Sequence, residues 1–170
     1  MVSRLNIKLI PLFFVALWLF DKAGEILGYL RNYALAEQIR HSNGDTTAIK
    51  GEGLTLVSIN DLVLASGIAS HLGLLVGLVF ALLICRKRKW HWISPTLALL
   101  LVYLTVWFQT DKMGFVGQLL RMPGDKFNGI WYYLINGLVC ILLGLLTFMF
   151  INSLKRSDDN QHITTRQQSA

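Results

Sequence analysis

The sequence predicts an all-α membrane protein, a four-transmembrane-helix bundle with short surface helices in the outer loops. Hydrophobic residues make up 54% of the chain and charged residues 15%, whereas soluble domains average about 25% charged residues. Four apolar stretches have roughly the 20 residues that cross a bilayer. Such segments must be helical, because lipid offers the backbone no hydrogen-bond partner. The stretches are residues 9–30, 62–85, 93–109 and 130–151.

The four stretches belong to one integral membrane domain, residues 1–156. Four helices of about 20 residues use half of the chain and leave too little for a second, soluble core. Residues 157–170 are polar and lack apolar periodicity. We therefore predict a disordered cytoplasmic tail there.

A basic cluster predicts the orientation of the bundle. Arg86, Lys87, Arg88 and Lys89 fall in the short connection between the second and third stretches, and short loops rich in Lys and Arg stay cytoplasmic. Both termini are then cytoplasmic, on the side that holds nine of the 16 Lys and Arg residues and two of the ten acidic residues. Such a surface attracts anionic lipid headgroups, so the net charge of +6 does not predict a nucleic-acid partner.

The first stretch has two interpretations. Arg4 and Lys8 precede an apolar run at 9–20, which resembles a signal peptide, and the small residues at 34–36 resemble a cleavage site. However, the charged segment 21–25 intervenes, and cleavage sites normally follow the apolar run closely. We therefore favour an uncleaved first span.

The two cysteines predict neither a disulfide nor a metal site. Cys85 ends the second stretch and Cys140 lies halfway along the fourth, so their depths differ by about 15 Å, which is beyond disulfide reach. No CxxC is present, and one deep histidine cannot supply paired haem ligands. The sequence predicts no metal and no cofactor.

The two outer connections contain the predicted surface segments. The first connection, 31–61, follows an amphipathic segment at 29–39, which we expect to extend the first helix along the membrane surface. It ends with a short β-prone run at 54–59. The second connection contains an amphipathic segment at 113–120 and a turn at 123–125.

Small residues recur every four positions on one face of the second stretch. They are Ala69, Gly73 and Gly77. Small residues at this spacing let another helix backbone approach closely. The partner is either a helix of the same chain, which we favour, or a second copy of the protein.

Polar side chains within the stretches form the candidate site. They are Asp21, Glu25, His71, Tyr103 and Asn136, and all lie in the outer half of the predicted bundle. In one interpretation, Asp21 or Glu25 pairs with His71 in a pocket open to the outside, which could shuttle a proton or bind a cation. In the other, the first helix lies further outward, its charges sit at the interface, and His71 is an isolated structural residue.

Three functional classes remain from the sequence. The one we favour is a non-enzymatic accessory or scaffold subunit, because no catalytic motif is found and the chain is small. The alternatives are a proton- or ion-coupled transporter or channel-like protein, and an intramembrane enzyme that acts on a lipid head group. The predicted partners are the lipid bilayer and either a membrane-protein partner or a homo-oligomer.

Overall fold

The computed structural model describes residues 7–42, 56–108 and 123–154 of the chain. Within these ranges the protein is all-helical and has no strand. Its five α-helices in the described ranges are α1 (Ile10–Gly28), α2 (Tyr33–His41), α3 (Leu56–Arg88), α4 (Ile93–Trp107) and α5 (Ile130–Ser153). The predicted segments 113–120 and 157–170 lie outside the described residues.

Two of these helices are long and apolar enough to cross a membrane. They are the segment Val57–Arg88 of α3 and the whole of α5. Only 22% of the most apolar 18-residue window of α3, and 33% of that of α5, is buried in the fold. A core helix of a soluble protein would be mostly buried, so both helices leave large apolar faces uncovered.

The start of α3 corrects the sequence prediction. The helix begins at Leu56, six residues before the predicted start of the span, so residues 56–59 of the β-prone run are helical and that part of the prediction was wrong. Residues 54 and 55 lie outside the described ranges. Helix propagation gains one hydrogen bond per added residue, whereas a lone strand has no partner with which to bond.

The end of α3 also differs from the prediction. Arg86 and Lys87 belong to the last helical turn together with Arg88, so only Lys89 of the basic cluster lies beyond the helix. The amide of Trp90 donates to the Cys85 carbonyl, and the amide of Lys89 donates to the Arg86 carbonyl. With Lys89 at φ 57°, this is a Schellman motif that uses lysine where glycine is usual.

The segment after α1 forms a separate helix and does not extend α1, which corrects the prediction for 29–39. A 3-10 turn, Tyr29–Asn32, follows α1. Asn32 then leaves the helical conformation, at φ −141° and ψ 64°, and its side chain accepts a hydrogen bond from the Leu35 amide. This is an N-cap, which begins α2 as a separate helix.

Helix α1 is the centre of the bundle. It packs against α3, α4 and α5, which make few contacts with one another. A Cβ atom on Gly24 would overlap the carbonyl oxygen of Ala69, and one on Gly73 would overlap the carbonyl oxygen of Phe20. The α1 and α3 backbones are therefore in direct contact. The stripe of Ala69, Gly73 and Gly77 lies against α1 of the same chain.

Two apolar clusters lie at opposite ends of the bundle. One is centred on Phe13, Phe20 and Phe148, near the end of the bundle that contains Arg88. We call this the Arg88 end. The other contains Leu35, Leu62 and both Tyr132 and Tyr133, beneath α2, and we call this the α2 end. A polar layer lies between the two clusters, and it consists of Asp21, Lys22, Glu25, Ser66, Ser70 and Asn136.

Candidate functional site

Asp21 is the most deeply buried charged residue of the polar layer. Its exposed fraction is 4%, although it lies within a largely apolar helix. The hydroxyl of Ser70 on α3 donates to its Oδ1 atom. Because the adjacent glycines bring the α1 and α3 backbones together, this short serine side chain can reach the carboxylate. The hydrogen bond therefore depends on the close approach of the two helices.

Lys22 and Glu25 form an ion pair on α1. The Lys22 Nζ atom lies 2.6 Å from Glu25 Oε2, and the Tyr29 hydroxyl donates to Glu25 Oε1 over 3.3 Å. Both side chains of the pair are mostly buried, at 15% and 27% exposure. Pairing opposite charges within one helix lowers the cost of keeping them out of water.

Asn136 connects α5 to the turn before it. Its Oδ1 atom accepts a hydrogen bond of 2.9 Å from the Gly124 amide, and a Cβ atom on Gly124 would overlap the Asn136 amide group. The turn at Pro123-Gly124-Asp125 predicted from the sequence is present. In the described part of the chain, the buried Nδ2 atom of Asn136 has no hydrogen-bond partner.

His71 and Tyr103 lie together, but outside the polar layer. The His71 Nδ1–H group donates to the Gly67 carbonyl over 2.8 Å, and its ring centre lies 5.9 Å from that of Tyr103 on α4. Both side chains are exposed on the surface of the helical bundle.

The structure thus divides the five candidate residues into two groups. Asp21, Glu25 and Asn136 belong to the polar layer, whereas His71 and Tyr103 form a surface pair. In the described residues, Asp21 bonds to Ser70 and Glu25 bonds to Lys22, in place of the pairing with His71 that we considered. The depth of His71 follows from its position along α3. The direction of its side chain could not be predicted, because α3 is apolar on all sides and shows no periodicity that separates an inner from an outer face.

Sequence reasoning missed a polar cluster at the α2 end. We call it the α2 clasp, and it consists of Glu37, Arg40, His41, Gly129 and Tyr132. Glu37 Oε1 accepts hydrogen bonds from Arg40 Nη2 over 2.6 Å and from the Gly129 amide over 3.4 Å, and it lies 3.1 Å from His41 Nε2. The Arg40 guanidinium lies 4.3 Å from the centre of the Tyr132 ring, a cation–π contact.

The α2 clasp joins α2 to the start of α5. Gly129 is the N-cap residue of α5 and has a φ of 62°, which favours glycine. Burial by itself would raise the pKa of Glu37. The hydrogen bonds from Arg40 and Gly129, together with the charge of Arg40, outweigh burial and lower this pKa. The carboxylate is therefore ionised beside the positive end of the α5 helix dipole. A glutamate four residues before a histidine in an amphipathic segment was the only sequence signal for it.

A second polar contact joins α3 to α5 at the Arg88 end. Arg88 Nε donates to Asn152 Oδ1 over 2.9 Å, and Arg88 Nη2 donates to the Asn152 carbonyl. Asn152 lies in the last turn of α5, where carbonyl groups lack helical partners and a cation is favourable.

The described residues form an open apolar groove but contain no metal-binding cluster. Among the described residues, no group of three or more His, Cys, Asp and Glu side chains could hold a metal ion. An open apolar groove of about 320 Å³ lies between α1 and α4. Its lining residues are Pro11, Phe14, Leu101, Leu104, Thr105 and Phe108.

No family model, curated protein or solved structure matches the chain.

Proposed function

We propose that this protein spans a cell membrane four times, through α1, α3, α4 and α5, with the Arg88 end and both termini in the cytoplasm. The proposal is supported by the uncovered apolar faces of α3 and α5 and by the exposed basic side chains Arg86, Lys87 and Lys89 at one end of the bundle. Helix α1 contains three charged residues within its last eight, but they face neighbouring helices or each other. Lipid therefore need not solvate them.

The proposed role in the membrane is that of a non-enzymatic accessory or scaffold subunit. The observation that carries this proposal is the contrast between the inside and the outside of the bundle. Inside, the carboxylates of Asp21 and Glu25 bond to groups of the same chain. Outside, α3 presents an apolar face that contains His71, and a polar group in contact with lipid is costly. Another membrane protein covering this face would remove that cost.

Photo-crosslinking from α3 in native membranes tests this role. A photoreactive residue at Ile68, which is 53% exposed, should form a stoichiometric protein adduct, and the same residue at Ala81, which is fully buried, should not. Mild-detergent purification should retain the same partner. Adducts with lipid alone at Ile68 in native membranes, together with no retained protein partner across several mild detergents, would contradict the accessory role.

One observation favours a second candidate, a proton- or ion-coupled transporter. Asp21 is a buried carboxylate between two helices, and such groups are typical of proton and cation pathways. If Asp21 carries the ion, Asp21→Asn abolishes proton or cation flux in proteoliposomes while the protein remains inserted. This candidate would be excluded if the wild-type protein shows no proton or cation flux, or if Asp21→Asn leaves the flux unchanged.

A further inference from the structure

The exposed face of α3 has the spacing of a helix–helix seam. Leu64, Ile68, His71 and Leu75 follow one another at intervals of four, three and four residues. The three apolar side chains are between 53% and 61% exposed. We call these four residues the α3 seam. Alternating intervals of three and four residues keep one face of a helix against a partner helix along its length, and a single polar residue in such a seam sets the register.

The donor and acceptor atoms of His71, the polar residue of the α3 seam, follow from its hydrogen bond to Gly67. A carbonyl oxygen can only accept, so the bond to Gly67 places the proton of His71 on Nδ1. In the neutral ring, the other nitrogen, Nε2, is then an acceptor. Tyr103, which lies against the same ring and is 45% exposed, carries a hydroxyl donor. The exposed surface therefore presents one acceptor and one donor at the same level of the bundle.

The surface formed by His71 and Tyr103 can pair with the same surface of a second copy of the chain. Two copies in one membrane share an orientation, so a two-fold axis along the membrane normal places equal residues at equal depth. Two Nε2 acceptors cannot bond to each other, but each can accept from the Tyr103 hydroxyl of the other copy. Two donors and two acceptors are then satisfied.

We infer that the α3 seam binds a second copy of this chain, in a symmetric dimer in which His71 Nε2 of each copy accepts a hydrogen bond from Tyr103 of the other. This inference rests on the proposed function, because it names the protein that covers the uncovered face of α3. The stripe of Ala69, Gly73 and Gly77 takes no part in it, since that stripe is already occupied by α1.

Disulfide cross-linking in native membranes tests the geometry. In a chain with Cys85→Ala and Cys140→Ala, the variants Ile68→Cys and Leu75→Cys should form covalent dimers on mild oxidation. Val76→Cys is the matched control, because Val76 is also exposed, at 49%, but points about 100° away from Leu75 on the same helix. It should remain monomeric.

The hydrogen bonds are tested by the dimer dissociation constant in liposomes, measured by energy transfer between labelled copies. Tyr103→Phe keeps the ring and removes the donor, and His71→Ala removes the acceptor. Each variant removes both interhelical hydrogen bonds of the dimer, so each should weaken dimerisation roughly eightfold. The dimer of the double variant should be no weaker than that of His71→Ala, because both substitutions remove the same hydrogen bonds.

The outcomes separate this inference from the proposed function. The inference would be supported if cysteines at Ile68 and Leu75, but not at Val76, form covalent dimers, and if Tyr103→Phe raises the dimer dissociation constant. A protein that is monomeric at every density, or a Tyr103→Phe dimer as tight as wild type, would overturn it. An Ile68 adduct with a different protein would overturn the second-copy inference but support the accessory role. Adducts with lipid alone would contradict both.

Discussion

At the scale of single residues, Arg88 differs from its neighbours in the basic cluster. Arg86 and Lys87 are exposed at the end of α3, whereas Arg88 is half-buried and bonds to both the side chain and the carbonyl of Asn152. It therefore neutralises the C-terminal end of α5 in addition to contributing charge to the surface. One residue thus connects the ends of two helices that are otherwise in little contact.

Arg88→Gln should lower the free energy of unfolding by about 1 to 2 kcal/mol, because it removes two charge-assisted hydrogen bonds. Lys87→Gln is the control, since it removes the same charge from an exposed position. The free energy can be measured by SDS titration in mixed micelles, followed by circular dichroism. Equal effects of the two substitutions would show that Arg88 acts through its charge alone.

The contacts of single residues were harder to predict from the sequence than the positions of the residues along their helices. The sequence predicted that polar groups are concentrated in one half of the bundle, and it identified Asp21 and Asn136. It did not identify Ser70 or Gly124 as their partners, because those contacts depend on the packing of helices far apart in sequence. The direction of His71 was unpredictable for a different reason: its helix has no polar face to define inside and outside.

At the scale of elements, the contact between α1 and α3 depends on the absence of side chains. Gly24→Ala places a methyl group on the Ala69 carbonyl, so the helices must separate, at a cost of about 2 kcal/mol. Gly67→Ala is the matched control on α3, because an added Cβ there meets open space and alanine favours helix by up to about 1 kcal/mol. Thermal stability in detergent should fall for Gly24→Ala and should stay the same or rise for Gly67→Ala. Similar losses in both variants would contradict the close packing.

The docking of α2 on α5 should depend on pH through Glu37. The pKa of Glu37 is lower in the folded protein than its ordinary value of 4.5, so folding favours the ionised carboxylate. Its contribution to stability is present above the ordinary pKa and is lost as the pH falls through the lower, folded value. Docking should therefore persist from about pH 8 to about pH 5 and fail only in stronger acid.

Spin labels at Gln38 and Asp125, both exposed, can follow this docking through the distance between them. Glu37→Gln should broaden the distance distribution at every pH. His41→Gln should leave the profile nearly unchanged, because the hydrogen bond to His41 is the weakest of the contributions that lower the pKa of Glu37. A transition near neutral pH in the wild-type protein would contradict the assignment of this pH dependence to Glu37.

The sequence predicted some elements better than others. Hydropathy located α1, α4 and α5 to within a few residues, because each corresponds to a long, largely apolar run of the sequence. It did not locate the first residues of α3, where residues 56–59 of the β-prone run, which precede the predicted span, are helical. Nor did it separate α2 from α1, since the break depends on the conformation of one residue, Asn32.

At the scale of the whole molecule, the arrangement is a polar layer between two apolar clusters, with a cluster of exposed basic side chains at the Arg88 end. The Arg88 end has Arg86, Lys87 and Lys89 at its surface, and the α2 end has an exposed ion pair between Arg31 and Asp61, 3.2 Å apart. Lys and Arg near the ends of short loops orient membrane proteins, whereas acidic residues contribute little. This asymmetry supports the proposed orientation, in which the Arg88 end is cytoplasmic.

Accessibility of single cysteines in intact cells tests this central claim most directly. In a chain with Cys85→Ala and Cys140→Ala, a cysteine at position 45 or at position 125 should react with a membrane-impermeant maleimide from outside. A cysteine at Lys87 should react only after the membrane is broken. Labelling of Lys87→Cys from outside, or of position 45 only after lysis, would contradict the proposed four-span topology.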